Sequence, residues 1–364
     1  MFNPRNKPPN HLFIEITTEC NLRCKQCHLW MSREDKDKSL KTEEKLDIIR
    51  QFYSFNRNGC VVLSGGETML KTDEFFAITS LCRKLNLKNA ANTNATYITN
   101  DELVEKTLTL GPSYLVISLD SHIPDIHDYM RGVQGCHSHV INVIKSLVKL
   151  KKERYPEIDT QILTNSVIFD GNIHLLKDYI NFAKEIGIDG VMFQMLSPTF
   201  NFQGEDDVFF EKHFFKDTTK AKEYIDLIIE SFRNDGFVII NENDLQWMKL
   251  YIDNPYFIGE QVCNSHERNM IIDSYGDVQL CFNMKSLTNG KPLGNAREDS
   301  LYNLWTSQSA EDARKIMSIC RKNCGMLHCH RKQTTLNPSS KRSIDSLHII
   351  RLFARYFTKK GNRT

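Results

Sequence analysis

Short β-rich segments alternate with amphipathic helical segments from residue 12 onward, and this alternation restricts the fold more than any other feature of the sequence. Such a pattern is typical of a parallel sheet built from βα units. Six strands are predicted, at 12–17, 60–64, 89–93, 114–120, 160–168 and 190–196. The helices predicted between them cover 41–55, 72–86, 99–110, 137–153 and 172–186.

Six βα units are too few for a closed eight-stranded barrel. The predicted fold class is therefore α/β, with a partial (β/α)6 TIM-like barrel over 10–200 and functional loops at the carboxyl ends of its strands. A polar and aromatic connector is predicted for 201–260, including a helix near 218–234 and a short strand at FVII. Residues 261–335 are rich in cysteine and turn residues, which predicts a small metal-binding domain, and 336–364 are predicted to form a C-terminal helix and tail.

The composition excludes several classes of protein. With 40% hydrophobic residues, 25% charged residues and a formal net charge of +2, the chain is neither disordered nor broadly attractive to nucleic acid. No segment has the length and apolarity of a membrane span, and the polar start lacks the apolar core of a signal peptide. We therefore expect a cytoplasmic protein, in which eleven cysteines serve metal or cluster binding rather than disulfide bonds.

Three cysteines, Cys20, Cys24 and Cys27, follow the first predicted strand in the segment ECNLRCKQCHLW. Iron–sulfur clusters usually take four protein thiolates, so three thiolates with no fourth nearby leave one iron open to another ligand. The alternative is a zinc knuckle or a set of buried thiols, but structural zinc sites normally have four ligands in paired groups. The spacing therefore favours a reactive iron–sulfur cluster.

This CxxxCxxC segment, followed by His28, resembles the signature of the radical S-adenosylmethionine (SAM) superfamily. The resemblance implies a 4Fe–4S cluster whose open iron binds SAM. It also implies reductive cleavage of SAM to a 5′-deoxyadenosyl radical, with electrons from a donor such as flavodoxin or ferredoxin.

Further positions match the SAM-binding segments of the same family. The GGE segment after the second strand provides Gly65, Gly66 and Glu67, and its carboxylate suits the SAM ammonium group. Ser118 and Asp120 lie on one face of the fourth strand, where they suit a ribose diol or another polar group of SAM. Asn94 after the third strand and Arg131 in IHDYMRGVQG are the remaining matches, although Asn94 also suits an ordinary turn and Arg131 an ordinary surface position.

A second cysteine group begins with Cys263 and Cys281. Together with Gly276, they match the opening pattern of the SPASM/twitch domains, in which a glycine lies five residues before the second cysteine. Three further cysteines follow at Cys320, Cys324 and Cys329. A full SPASM domain has seven cysteines for two clusters, so the resemblance implies one auxiliary 4Fe–4S cluster, held by the first two cysteines and two of the last three. The fifth thiol is either inert or a hydrogen-atom donor. A zinc site that uses His266, His328 and His330 is the alternative.

The resemblance implies an enzyme that abstracts a hydrogen atom from a substrate carbon. Dehydrogenation, epimerisation or cross-linking of a peptide or carbohydrate-type substrate would follow, and the sequence does not decide between these substrates. A non-catalytic iron–sulfur or zinc protein that senses redox state is the rival hypothesis, but it would not need the SAM-binding positions.

Overall fold

One mostly parallel sheet organises the computed structural model, which describes residues 7–198, 208–233, 235–240, 242–256 and 263–321. Its strands in that part of the chain are β1 (His11–Thr17), β2 (Cys60–Gly65), β3 (Lys88–Thr93), β4 (Tyr114–Ser118), β5 (Gln161–Ile168), β6 (Gly190–Met195), β7 (Asn269–Ile272) and β8 (Val278–Gln279). The spatial order is β6-β5-β4-β3-β2-β1-β7-β8, and only the pairing of β7 with β8 is antiparallel. The predicted α/β fold is confirmed, with the six predicted strands in the first six positions.

The helices that join the first six strands are α1 (Thr42–Phe55), α2 (Thr72–Lys84), α3 (Asp101–Thr109), α4 (Pro124–Arg131), α5 (Cys136–Arg154) and α6 (Leu176–Glu185). Later helices are α7 (Val208–His213), α8 (Thr218–Phe232), α9 (Glu242–Asp253), α10 (Ser265–Arg268), α11 (Met284–Leu287), α12 (Leu301–Thr306) and α13 (Gln308–Ser318). Single 3-10 turns occur at Leu29–Met31, Thr68–Lys71 and Ile173–Leu175. Helix α4 was not predicted, and it matters because Arg131 is its last residue.

The sequential order of β1 to β6 decides which face of the sheet is covered. Parallel crossovers are right-handed, so helices that join neighbouring strands in one direction all lie on the same face. In β2, Val61 and Leu63 point to that face and are fully buried, whereas Cys60, Val62 and Ser64 alternate with them and stay partly exposed. The uncovered face is therefore the open interior of a partial barrel.

The C-terminal region continues the same sheet. Strand β7 pairs in parallel with β1, with His11 opposite Asn269 and Ile14 opposite Ile272. This neighbour was not predicted, because nothing in a four-residue strand identifies a partner more than two hundred residues away. The apolar side chains of this region, such as Met270 and Trp305, pack into the same core as the barrel strands.

The connector is helical in its described parts. Helix α8 confirms the helix predicted near 218–234, whereas the strand predicted at FVII is reduced to one parallel bridge between Val191 and Val238. Within the described residues, no helix combines the length and apolarity needed to cross a bilayer. The predicted C-terminal helix at 336–364 lies outside the described residues, and the division into domains remains a prediction.

Candidate cluster and cofactor site

The first cysteine group lies in the loop that leaves the carboxyl end of β1. Cys24 is buried, Cys20 and Cys27 are partly buried, and all three are free thiols. The loop is fixed to the end of α4, because the backbone N–H of Arg23 donates to the carbonyl of Arg131 at 3.2 Å and that of Lys25 to Met130 at 2.9 Å. The structure therefore holds the three predicted ligands together on an anchored loop.

The pKa values of these three thiols are raised, which suits residues that lose their protons only when they bind metal. Burial raises the pKa of Cys20 and Cys24, and it raises the pKa of Cys27 to about 11, with the charges of Cys24 and Cys20 contributing in the same direction. The thiols also lie near enough to repel one another once ionised. Metal ligation deprotonates such thiols, so binding would displace protons and relieve this repulsion.

The donor set suits an iron–sulfur cluster. Cys20, Cys24 and Cys27 are three free thiols on one short loop. Thiolates are the usual protein ligands of such clusters, and three of them leave one iron open to another ligand.

Two predicted SAM ligands lie beside the cysteine sulfurs. The amide nitrogen Nδ2 of Asn94 is 3.9 Å from Sγ of Cys20, and it also donates to the side-chain oxygen of Asn21 at 3.0 Å. The guanidinium nitrogen Nη1 of Arg131 is 3.9 Å from Sγ of Cys24. Both N–H groups are within reach of an N–H···S hydrogen bond, a contact that the sequence did not predict.

Asp120 and Arg131, predicted as separate ligands, form an ion pair with one another. Nε of Arg131 lies 2.8 Å from Oδ2 of Asp120, and the backbone N–H of Val167 donates to Oδ1 at 3.0 Å. Burial raises the pKa of Asp120, while the positive charge of Arg131 opposes that shift. Burial lowers the pKa of Arg131, but Asp120 and Cys24 outweigh it and the net direction is upward. Ser118, the last residue of β4, is partly exposed.

Glu67 joins the loops after β2 and β3. Its buried carboxylate accepts hydrogen bonds from the backbone N–H of Met69 at 2.9 Å, the hydroxyl of Thr93 at 2.6 Å and the backbone N–H of Asn94 at 2.7 Å. Burial raises its pKa, and these three donors oppose the shift. A carboxylate has about four acceptor positions, so one remains for an ammonium group.

The two glycines of the GGE segment let the β2 turn lie against the start of the cysteine loop. A Cβ atom on Gly66 would be 2.0 Å from the carbonyl oxygen of Glu19, and one on Gly65 would be 2.3 Å from that of Thr17. Gly65 also has a φ of +117°, a conformation that favours glycine. The backbone N–H of Gly66 donates to Thr17 at 2.7 Å. SAM contacts by Gly65, Gly66 and Glu67 remain a prediction.

Two ion pairs next to this site were not predicted from the sequence. Nζ of Lys71 is 2.9 Å from Glu34, whose other carboxylate oxygen accepts from the hydroxyl of Thr17 and, at 3.3 Å, from the backbone N–H of Thr18. The second ion pair joins α1 to α2 near the carboxyl end of β1. Its two members are the fully buried Lys45 and Glu74. Lys45 lies among the buried apolar residues of α1, and this position in the sequence was the signal for a buried ion pair.

The second cysteine group is partly described. Cys263 and Cys281 flank α10 and β8, and the hydroxyl of Ser265 donates to the carbonyl of Leu280 at 2.7 Å, which ties their two segments together. Cys320 follows α13, a helix that packs on α10 through Nε of Arg314 and the carbonyl of His266 at 3.2 Å. The three segments therefore meet. Cys324 and Cys329 lie outside the described residues, as do His328 and His330.

Comparison with known proteins gives two family matches. Residues 14–172 match the model of the radical SAM superfamily, and residues 263–329 match a SPASM model described as an iron–sulfur cluster-binding domain. These descriptions confirm the predicted use of SAM, a 4Fe–4S cluster and auxiliary cluster binding.

Individual proteins agree with these matches. The chain is 24% identical over 323 residues to a tungsten-containing aldehyde ferredoxin oxidoreductase cofactor-modifying protein of Pyrococcus furiosus, a match that covers 82% of this chain and 81% of the relative. It is 27% identical over 200 residues to the AdoMet-dependent heme synthase of Methanosarcina barkeri, which covers 55% of this chain and about half, 54%, of that relative.

A solved structure confirms the fold. The crystal structure of Streptococcus suis SuiB bound to the precursor peptide SuiA superimposes with a TM-score of 0.65 at 20% identity, over 87% of this chain and 72% of SuiB. The two family matches therefore identify a radical SAM domain over residues 14–172, whose cysteine loop follows β1, and a SPASM domain over residues 263–329.

Proposed function

We propose that this chain binds SAM and a 4Fe–4S cluster at the loop of Cys20, Cys24 and Cys27, and abstracts a hydrogen atom from a substrate carbon. The observation that carries the proposal is the convergence, on that loop, of three free thiols with the N–H groups of Asn94 and Arg131. When bound, the cluster and SAM supply an electron and a 5′-deoxyadenosyl radical. A sensor of redox state would have no use for the SAM-binding positions.

The residues of this chain hold and orient the reactants. The three cysteines would hold the 4Fe–4S cluster, which would leave one iron free for SAM. Gly65 and Gly66 bring the β2 turn against the cysteine loop, and Glu67 offers its remaining acceptor position to the SAM ammonium group. Ser118, at the end of β4 and partly exposed, is assigned to a polar group of SAM. The packed helices cover one face of the sheet, so bound SAM and substrate would lie against the opposite, interior face.

Two interior side chains favour a polar substrate. Among the described residues, Oγ of Ser64 on β2 and Oδ1 of Asn165 on β5 are buried without a hydrogen-bond partner. Both residues project to the open face of the sheet, because they alternate with the buried Leu63 and Thr164. Buried polar atoms are normally hydrogen-bonded, so a ligand with its own polar groups would satisfy them. Peptides and carbohydrates both meet this requirement, whereas an apolar lipid does not.

The reaction assigned to the substrate is dehydrogenation, epimerisation or cross-linking of a peptide or carbohydrate-type molecule. SuiB has been crystallised with a bound precursor peptide, which supports the peptide class, and the Pyrococcus furiosus relative is named for modifying a cofactor. We assign one auxiliary 4Fe–4S cluster to Cys263, Cys281 and two of the three later cysteines.

We place the entry point for electrons at the outer surface of the cysteine loop. Lys25 and Arg33 are exposed there, and Arg23 covers the loop, with Nη1 donating to the carbonyls of Cys20 at 3.1 Å and Leu22 at 3.0 Å. These exposed cations would provide contacts for an acidic one-electron donor of the flavodoxin or ferredoxin type.

The decisive experiment is anaerobic reconstitution with iron and sulfide, followed by addition of SAM and a strong reductant. Release of 5′-deoxyadenosine, measured by liquid chromatography, is the expected result. A fully loaded protein that releases none would overturn the enzymatic proposal and favour the redox sensor. The substrate class is then tested with deuterated peptide and carbohydrate candidates, because deuterium transfers into 5′-deoxyadenosine only from the true substrate.

A further inference from the structure

Two of the three cysteine sulfurs are each approached by one side-chain N–H donor from a different βα loop. Asn94, after β3, places Nδ2 3.9 Å from Sγ of Cys20, and Arg131, at the end of α4, places Nη1 3.9 Å from Sγ of Cys24. Asn94 and Arg131 are both buried. Donors that reach ligand sulfur are known means by which proteins set cluster potentials.

The position of Asn94 is fixed from three sides. Its backbone N–H donates to Glu67 at 2.7 Å, and its Oδ1 accepts from the backbone N–H of Thr96 at 3.0 Å. Its Nδ2 also donates to Asn21 at 3.0 Å. Because Oδ1 is occupied as an acceptor, the amide is oriented with its donor side toward Cys20.

Arg131 is fixed just as firmly. Its Nε pairs with Asp120 at 2.8 Å, and its carbonyl accepts from the N–H of Arg23 in the cysteine loop. Helix α4 ends immediately after it at Gly132, which has a φ of +68°. A Cβ atom at Gly132 would be 2.3 Å from the carbonyl oxygen of Arg23, so only glycine lets the helix end lie this close to the loop.

We propose that Arg131 and Asn94 set the reduction potential of the SAM-site cluster, and that Asp120 limits the effect of Arg131. This inference rests on the proposed function, because it requires the cluster at Cys20, Cys24 and Cys27. An added electron makes the cluster more negative, so a fixed positive charge and N–H donors favour the reduced form and raise the potential. Asp120 carries the opposite charge and acts in the opposite direction. These are positioning and electrostatic roles, separate from any contact with SAM.

The signs of these effects provide the test. In the reconstituted full-length protein, the potential is measured by redox titration monitored by electron paramagnetic resonance, using the signal that SAM alters to identify this cluster. Arg131→Met should lower the potential by at least the equivalent of a tenfold change in the reduction equilibrium, about 59 mV for one electron. Asn94→Leu should lower it by a smaller amount, whereas Asp120→Asn should raise it.

Two controls separate this role from a structural one. Arg131→Lys keeps the charge and should recover part of the potential lost in Arg131→Met. Arg57→Met removes an exposed arginine that lies over Tyr53, away from the loop, and should leave the potential unchanged. If Arg131→Met fails to load the cluster, the opposite shifts expected for Asn94→Leu and Asp120→Asn still decide the question.

Unchanged potentials in loaded Arg131→Met and Asn94→Leu proteins would overturn the inference. A fall in potential in Asp120→Asn would also overturn it, because it contradicts the sign of the proposed electrostatics. If the wild-type protein shows no cluster whose signal responds to SAM, the proposed function itself fails. That result differs from a SAM-responsive cluster with unshifted variants, which refutes only the role of these residues.

Discussion

The ammonium group of Lys45 lies 2.6 Å from a carboxylate oxygen of Glu74, and the lysine side chain is completely buried. The same ammonium donates to the carbonyl of Ile16 at 2.9 Å, one residue before the end of β1. Burial lowers the pKa of Lys45, and the carboxylate of Glu74 opposes that shift. The pair therefore fastens α1 and α2 to the strand that leads into the cysteine loop.

Replacing Lys45 by Met should destabilise the protein strongly. It leaves the carboxylate of Glu74 buried without its counter-charge, and removing one partner of a buried pair costs about 3–5 kcal/mol. Urea unfolding followed by circular dichroism measures this change. The double variant Lys45→Met/Glu74→Leu should recover much of the loss, because it removes both charges. A single variant as stable as the wild type would show that the pair contributes nothing.

Iron content should report the two cysteine groups separately. With one cluster in each group, the reconstituted protein should bind about eight irons per chain, and Cys20→Ala or Cys263→Ala should each reduce the count to about four. Only Cys20→Ala should abolish 5′-deoxyadenosine release completely. Cys60→Ala, a partly buried thiol on β2, is the matched control and should keep all of the iron. About twelve irons in the wild type would instead indicate two auxiliary clusters.

Gly66→Ala should impair SAM binding without removing any ligand. The new Cβ would overlap the carbonyl oxygen of Glu19, so the β2 turn has to move away from the cysteine loop and carries Glu67 with it. We expect SAM affinity to fall at least tenfold, equivalent to about 1.4 kcal/mol, in anaerobic calorimetry. Gly290→Asn is the control, because nothing lies near that position and asparagine tolerates its φ of +80°. Equal SAM affinity in Gly66→Ala would contradict the steric argument.

The sequence predicted the barrel well because its strands and helices are encoded locally. Each predicted strand from β1 to β6 is found, and α8 falls where its apolar periodicity predicted it. Helix α4 was missed because it is only eight residues long, from Pro124 to Arg131, which is too short for a clear period. The pairing of β7 with β1 depends on contacts between distant segments, which no local pattern encodes.

The candidate site was predicted as a set of residues but not as a set of contacts. The family resemblance identified Asn94, Asp120 and Arg131 and assigned all three to SAM. The structure adds that Asp120 pairs with Arg131 and that both N–H donors approach cysteine sulfurs. Such pairings depend on where separate βα loops meet in space, and a single sequence contains no measure of that distance.

Charge reversal at the surface of the cysteine loop should slow reduction by a protein donor. The double variant Lys25→Glu/Arg33→Glu replaces two exposed cations, so an acidic flavodoxin should reduce the cluster at least tenfold more slowly at low salt. Stopped-flow absorbance under anaerobic conditions measures this rate. Reduction by dithionite should be much less affected, because a small reductant needs no docking surface. Lys149→Glu, on α5, is the control, and equal flavodoxin rates in all variants would place the docking surface elsewhere.

Acid should destabilise this protein partly through His127. The side chain is fully buried, its Nδ1 accepts a hydrogen bond from the backbone N–H of Asp120 at 3.1 Å, and burial lowers its pKa to about 2, with the charge of Arg131 acting in the same direction. The folded state therefore keeps this ring neutral, while the unfolded state takes up a proton below the ordinary histidine pKa of about 6.5. Stability from this residue is present above pH 6.5 and falls as the pH is lowered toward 2, by about 1.5 kcal/mol between pH 6.5 and 5.

His127→Gln should reduce this pH dependence. The variant is expected to be less stable than the wild type at pH 8, because it disturbs a buried site, but the difference should shrink as the pH falls to 5. Urea unfolding at several pH values gives the slope, and His174→Gln, at an exposed position on the 3-10 turn before α6, should leave the slope unchanged. Parallel stability curves for His127→Gln and the wild type would mean that His127 takes up a proton in the folded state as readily as in the unfolded one.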